Sequence, residues 1–497
     1  MSLLKKLAGE TMVYGVSSIL SRVLQYLLLT PYLTRIFATE SYGIHGLMYS
    51  FAALLMVLLT YRMETTFFRF GSKDGQLQIA FSTATVSLLV TTLFFISLLL
   101  IFSSPIAGVL TKPEDNIYVI YFAFIIGFDV LAAIPFAKLR LENRPLRFAF
   151  IKILNIGITI IFTLFFLSAC PVLIENGYAW FDKIYDSSRQ LDYVFISNLI
   201  ASACVFVLLF PEYFSMKLQF DKELWKRMLL YALPLIVVGI AGVINQLLDR
   251  FLLKELLPGT LDENLSQVGI YNAVVKLAVL MNLFIQAFNY AAEPFFFKNA
   301  ERSDSRKIYA QVGQAFAFVG SLVFLVLMLY LDIVQHVIGK EFREGLGVVP
   351  ILLLAYFFLG LNYNFSIWYK LKDRTIIGAY ISIGGAIITL FLNILLIPRI
   401  GYYGSAFAAL SCYAFMALAS FWTGKRYYPI DYPIFKMLFY ILLAVGVYLL
   451  SGFLRPFLKG NHLQTFFINT LLLISWLAII FLVDRKTIRQ FLKTGHS

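Results

Sequence analysis

Apolar runs of about twenty residues, each nearly free of charge, recur fourteen times along the 497 residues of this chain. A helix needs roughly 20 residues to cross the hydrocarbon core of a bilayer, where a backbone must satisfy its own hydrogen bonds. The runs fall at 11–37, 41–70, 77–102, 116–139, 146–169, 193–214 and 228–257, then 268–297, 308–331, 345–368, 375–397, 402–423, 432–454 and 463–483. Turn residues such as Thr111, Lys112, Pro113, Glu114 and Asp115 separate them. Strands of a membrane barrel span about ten alternating residues, so these runs exclude a barrel. The first run follows Lys5 and Lys6 as a signal peptide would. It is about twice the length of a signal h-region and no small-residue cleavage site follows it, so it reads as a membrane helix.

Only 14% of the residues are charged and 60% are apolar. Soluble domains carry roughly 25% charged residues, which excludes an ordinary cytosolic enzyme. The three cysteines cannot close a disulfide framework, and the four histidines share no metal-ligand spacing. No G-x-x-x-x-G-K-[ST] loop is present, so P-loop ATP hydrolysis is excluded. No metal, cofactor or catalytic residue is expected. The net charge of +13 would suggest nucleic acid in a soluble protein. Here the loops on the side of the N-terminus carry more than twice the Lys and Arg of the opposite loops. The positive-inside rule then places both termini in the cytoplasm, and nucleic acid need not be invoked.

The chain reads as an internal duplication. Glu40, Tyr42, Gly43 and Ile44 lead into the second run, and Ser266, Gly269, Ile270 and Tyr271 lead into the eighth. The loop after the fourth run holds Lys138, Arg140, Glu142 and Arg144; that after the tenth holds Lys370, Lys372, Asp373 and Arg374. An offset of six spans keeps one orientation and relates the halves by an axis along the membrane normal. The predicted layout is a first lobe at 1–214, an amphipathic cytoplasmic linker at 215–227, a second lobe at 228–423, and two further spans with a tail at 424–497. Two six-helix lobes facing each other is a transporter plan.

Charged and polar residues inside spans are costly and usually face protein or water, about 2.5–3.5 kcal/mol for a charge at mid-bilayer. Arg22 and Gln25 lie on one polar stripe of the first run with Thr11, Tyr14, Ser18, Ser21 and Tyr32. That stripe suits a cavity wall or helix–helix hydrogen bonding. Asn282, Gln286, Asn289 and Glu293 form a second stripe, extended by Asn272 and Lys276, and Pro294 is expected to kink or end that helix. Asp249 and Arg250 point about 100° apart as helical neighbours and need not pair; they suit a polar face or the outer interface. Arg62, Glu64 and Arg69 close the second run and suit snorkelling or a site. Asp129 stands among apolar neighbours and suits either a neutral, hydrogen-bonded acid or a proton carrier.

These features together resemble the polysaccharide-transporter branch of the multidrug/oligosaccharidyl-lipid/polysaccharide exporter superfamily, which includes Wzx-type flippases. The resemblance rests on Arg22 within its Leu-Ser-Arg-Val-Leu-Gln-Tyr segment, Pro31 with Thr34 and Arg35, and Tyr42-Gly43. It rests also on Pro234 leading to Asp249 and Arg250, and on Gly269, Ile270 and Tyr271 before Lys276. Its most specific part is Asn393, Pro398, Gly401, Gly404, Ser405 and Ala406 at the junction of the eleventh and twelfth runs. It implies an all-α polytopic membrane protein of about 14 transmembrane helices: two six-helix lobes in a V-shaped alternating-access arrangement plus two C-terminal helices. It also implies a bacterial cytoplasmic membrane location and translocation of undecaprenyl-diphosphate-linked oligosaccharide.

Arg and Lys suit a diphosphate, and amides suit sugar hydroxyls. The expected substrate contacts are therefore Arg22, Gln25, Arg62, Arg69, Arg250, Lys276, Asn282, Gln286 and Asn289. Glu293, Asp249 and Asp129 are the expected coupling acids, with H⁺ or Na⁺ as the ion. Membrane lipids and polysaccharide polymerase or assembly proteins are the expected partners. The rival readings are a drug/cation antiporter of the same superfamily and a membrane-bound polysaccharide polymerase or ligase.

Overall fold

A computed structural model describes residues 20, 22–72, 76–178, 180–214, 219–300, 302–372, 374–458 and 461–494. Thirteen helices among them are long and apolar enough to cross a membrane, and in order they match the second to fourteenth predicted runs. Residues 11–19 and Ser21 of the first run lie outside the described residues. Its remainder is helical, with a π-helical turn at Gln25–Leu29 leading into α1 (Thr30–Ile36). No strand occurs among the described residues. The chain is an all-α, multi-pass membrane protein.

In chain order the helices are α2 (Thr39–Thr60), α3 (Met63–Gly71), α4 (Leu77–Ile101), α5 (Ser103–Leu110), α6 (Asn116–Leu141), α7 (Pro145–Leu164) and α8 (Gln190–Phe214). They continue as α9 (Lys222–Leu256), α10 (Leu261–Lys298), α11 (Ser305–Leu329), α12 (Val349–Phe365), α13 (Ile367–Leu371), α14 (Thr375–Ile400), α15 (Tyr402–Tyr427), α16 (Ile434–Leu454) and α17 (His462–Thr494). Contacts divide them into two compact units. The first takes the residues up to Ala273 with Ile338–Glu344 and Ser382–Ala408; the second takes Val274–Val337, Gly345–Ile381 and the residues from Ala409 onward.

One boundary differs clearly from expectation. The seventh span begins at Lys222, because the Asp221 carboxylate accepts from the backbone N–H of Glu223 and Leu224, both at 2.9 Å, and caps the helix. The charged residues 222–227 are therefore the opening turns of α9; residues 215–218 of the predicted linker lie outside the described residues. The C-terminal boundary of the eighth run falls where expected, since α10 runs through Pro294 to Lys298.

In the first unit, α2 and α10 cross with no side chain between them. A Cβ on Gly43 would stand 2.0 Å from the carbonyl oxygen of Leu265, and one on Gly269 would stand 1.9 Å from that of Thr39. Each glycine thus rests on the carbonyl four residues before the other. Hydroxyls of Thr39 and Ser266 meet beside the crossing at 2.7 Å. The Lys112 ammonium ties the same end together, pairing with Glu40 at 3.2 Å and Asp262 at 2.8 Å.

The α14–α15 hairpin explains the sequence motif at that junction. Gly401 turns the chain with φ +59°, a conformation glycine adopts without a Cβ penalty. The Ser405 hydroxyl donates to the Asn393 side chain at 2.8 Å across the turn.

Helices α6, α7 and α8 are clasped at one end by Glu212, whose side chain is only 4% exposed. It receives Lys138 at 3.1 Å, Arg144 at 3.0 Å and Arg147 at 2.7 Å. A buried carboxylate is tolerated when several charged donors surround it.

In the second unit, α16 and α17 are fixed to α11. Buried Asp484 accepts from Lys436 at 2.5 Å and from the Tyr440 hydroxyl, while Gln314 donates to Tyr440 at 2.7 Å. Further along, Asn469 receives the Ser451 hydroxyl at 2.7 Å and donates to the Leu329 carbonyl at 2.6 Å.

Candidate functional site

The second span is broken in its C-terminal third. Tyr61 and Arg62 separate α2 from α3 with φ of 32° and 57°. Consecutive left-handed residues with side chains are strained, and such strain persists only where the surroundings hold it. Here the Tyr61 hydroxyl meets that of Ser87 on α4 at 2.6 Å, and Ser87 also receives the Trp225 indole N–H of α9 at 2.7 Å. The Arg62 guanidinium lies against Gly239 of α9, where a Cβ would come within 2.8 Å of two of its nitrogens.

Beside this break, within the first unit, is a cavity of about 610 Å³. Its wall carries four cations, Arg22, Arg62, Arg140 and Lys152, with two carboxylates, Glu64 and Asp129, and the amide of Asn155. Met56, Val57, Phe136, Phe148 and Val205 supply apolar surface between them. The lining follows helical spacing. Asp129, Ala133, Phe136 and Arg140 recur at i, i+4, i+7 and i+11 on α6, while Phe148, Lys152 and Asn155 share a face of α7.

Aromatic rings hold the longer cations. Lys152 Nζ lies 4.1 Å from the centre of the Phe136 ring, and Arg140 Cζ lies 4.8 Å from that of Phe68. Glu64 Oε2 is buried with no hydrogen-bond partner among the described residues. An excess of cations in a partly enclosed, partly apolar space favours an anionic ligand, since charge–charge attraction strengthens as water is excluded.

Of the sequence-predicted residues, Arg22, Arg62 and Asp129 come together in this cavity. Gln25 begins the π-helical turn and is exposed. Arg69 stacks on the Tyr231 ring at 4.2 Å. Asp249 and Arg250 pair, an outcome the angular argument left open: the long Arg250 side chain folds back to place Nη1 2.9 Å from Asp249 Oδ1. Arg250 also donates to Asn272 at 3.3 Å and the Gln246 carbonyl at 2.8 Å, and Tyr271 donates to Asp249 at 2.8 Å. That pair is a buried polar knot of α9 and α10. Lys276, Asn282, Gln286 and Asn289 are half-buried on α10 in the second unit. The Glu293 side chain lies outside the described residues.

Lys152, Asn155 and Arg140 are the lining residues that sequence reasoning missed. Lys152, Asn155 and Thr159 lie at i, i+3 and i+7 in an otherwise apolar run, a polar stripe that marks the same face.

These helices and this cavity define a multi-span membrane protein with a transporter fold. A family model for polysaccharide biosynthesis proteins matches residues 7–300, more than half of the chain, and the chain belongs to that family. No curated protein sequence matches. Among solved structures, the chain is similar to the lipid II flippase MurJ in an inward closed conformation, with TM-score 0.71 and 15% identity over 96% of this chain and 100% of that one. It is also similar to an inward-facing multidrug resistance MATE family transporter of the MOP superfamily, with TM-score 0.60 and 13% identity over 84% of this chain and 94% of that one. The MATE multidrug transporter DinF-BH gives TM-score 0.60 and 15% identity over 86% of this chain and 96% of that one.

Proposed function

We propose that the protein is a flippase for undecaprenyl-diphosphate-linked polysaccharide repeat units, working across the bacterial cytoplasmic membrane with both termini inside. The carrying observation is the cavity on which Arg22, Arg62, Arg140 and Lys152 converge. A diphosphate offers several acceptor oxygens, and guanidinium groups match that geometry. Gln25, Asn282, Gln286 and Asn289 would contact sugar hydroxyls, with Arg69, Arg250 and Lys276 as further phosphate contacts. Transport is driven by H⁺, Na⁺ or the membrane potential. Asp129 is the favoured coupling acid over Asp249 and Glu293, because it lines the cavity. The family and the flippase likeness agree with this reading. The antiporter alternative fits less well, since four cations repel a cationic drug.

The test is flipping of a diphosphate-linked oligosaccharide lipid in proteoliposomes. Arg22→Ala and Lys152→Gln are expected to lower the rate at least about tenfold, as lost charge-assisted bonds would, while Arg22→Lys retains part of it. Wild-type rates in both variants at wild-type protein level would reject the cavity as the site. Export of a cationic dye with no flipping would favour the antiporter.

A further inference from the structure

At one end of the second unit, Tyr427 ends α15 and Tyr428 follows it, and each ring carries two cations. Arg374 Cζ lies 4.6 Å and Arg426 Cζ 5.9 Å from the centre of the Tyr427 ring. Arg306 Cζ lies 4.8 Å and Lys372 Nζ 5.3 Å from that of Tyr428. Trp368 stacks on Tyr427 at 5.5 Å and 15°, and is itself held by a 3.2 Å bond to the Ser420 carbonyl. All four cations are exposed, and none forms an ion pair or side-chain hydrogen bond among the described residues. A ring engages the flat face of a guanidinium and leaves its N–H edge free. The rings therefore orient the cations and leave their donors available.

The first half of the molecule handles its counterpart differently. There Lys138, at the end of α6, and Arg144, in the loop after it, turn to the carboxylate of Glu212 near the end of the sixth span. The duplicated loop around Lys372 and Arg374 meets Tyr427 and Tyr428 near the end of the twelfth. Topological bias alone requires only positive charge at this end. It does not account for the aromatic supports. Trp422, 72% exposed on the same helix, is an aromatic of the kind that sits at headgroup depth.

We propose that this end of the second unit binds the phosphate of anionic phospholipids, with Tyr427 and Tyr428 presenting Arg306, Lys372, Arg374 and Arg426 as its donors. The site is separate from the transport cavity and holds lipid of the surrounding leaflet.

The experiment titrates purified full-length protein with phosphatidylglycerol and, separately, phosphatidylcholine, and counts retained lipid by native mass spectrometry. Wild type should retain phosphatidylglycerol preferentially. Combined Arg306→Gln, Lys372→Gln, Arg374→Gln and Arg426→Gln should weaken that retention at least about tenfold, given the attraction each basic residue adds at an anionic surface. Combined Lys222→Gln, Lys226→Gln and Arg227→Gln should leave it unchanged. Undiminished retention in the first variant, or an equal loss in the second, overturns the proposal. A phosphatidylglycerol with a photoactivatable headgroup tests wild type directly. Crosslinks should fall in 302–308, 369–376 and 422–428, and crosslinks confined to other segments overturn the proposal however the variants fold.

Discussion

The guanidinium of Arg62 rests on the bare Cα of Gly239, so close that a methyl group there would come within 2.8 Å of its Nε and Nη2. The left-handed break at Tyr61 and Arg62 directs the side chain toward α9, and the glycine leaves it room. Backbone strain and close packing together set one cavity cation.

Gly239→Ala should therefore slow flipping several-fold by displacing Arg62. In an Arg62→Ala background the same change should add little further loss, because coupled neighbours are not additive. Flipping rates around the four-member cycle test this. Full additivity would assign Gly239 an effect independent of Arg62.

Arg62→Gly and Arg62→Ala should both impair transport, yet differ in stability. Glycine relieves the left-handed penalty, so its variant should be more stable than the alanine variant by about 1 kcal/mol. Thermal unfolding of the two in the same detergent measures the difference, and equal stability would show the break is unstrained.

Asp129→Asn and Glu64→Gln should flatten the dependence of flipping on an imposed ion gradient while substrate binding persists. Asp249→Asn should instead lower thermal stability, because Arg250 is buried against that carboxylate. Rates measured with and without the gradient separate the two outcomes. Unchanged gradient dependence in both cavity variants removes these acids from coupling.

Glu212→Gln should destabilise the protein by about 3 kcal/mol, since breaking a buried pair strands a charge. Lys138, 3% exposed, is the stranded cation. Adding Lys138→Met should recover part of the loss. Unfolding midpoints of the single and double variants check both statements.

The spans were legible because each apolar run is long enough to admit one reading in a bilayer. Arg22 and Asp129 were legible because a charge amid such a run is costly enough to need a use, and Arg62 because a site was one of the two readings open to it. Lys152 and Arg140 were not, since each lies near enough to a run end for snorkelling to account for it; only the facing of α6 and α7 turns both inward. The Asp249–Arg250 pair was not legible because angular spacing of Cβ atoms ignores the reach of a long side chain. The cations gathered by Glu212 come from a helix, a loop and the start of the next helix, a convergence that no local pattern announces.

The seam between Gly43 and Gly269 also restricts how a chain of this kind can evolve. The segment around each glycine supplies the carbonyl, of Leu265 or of Thr39, that would obstruct a larger residue in the other. A side chain at either position would meet backbone, and no repacking of neighbouring side chains can make the room. The crossing is therefore a point where a substitution on one helix cannot be offset by a substitution on the other.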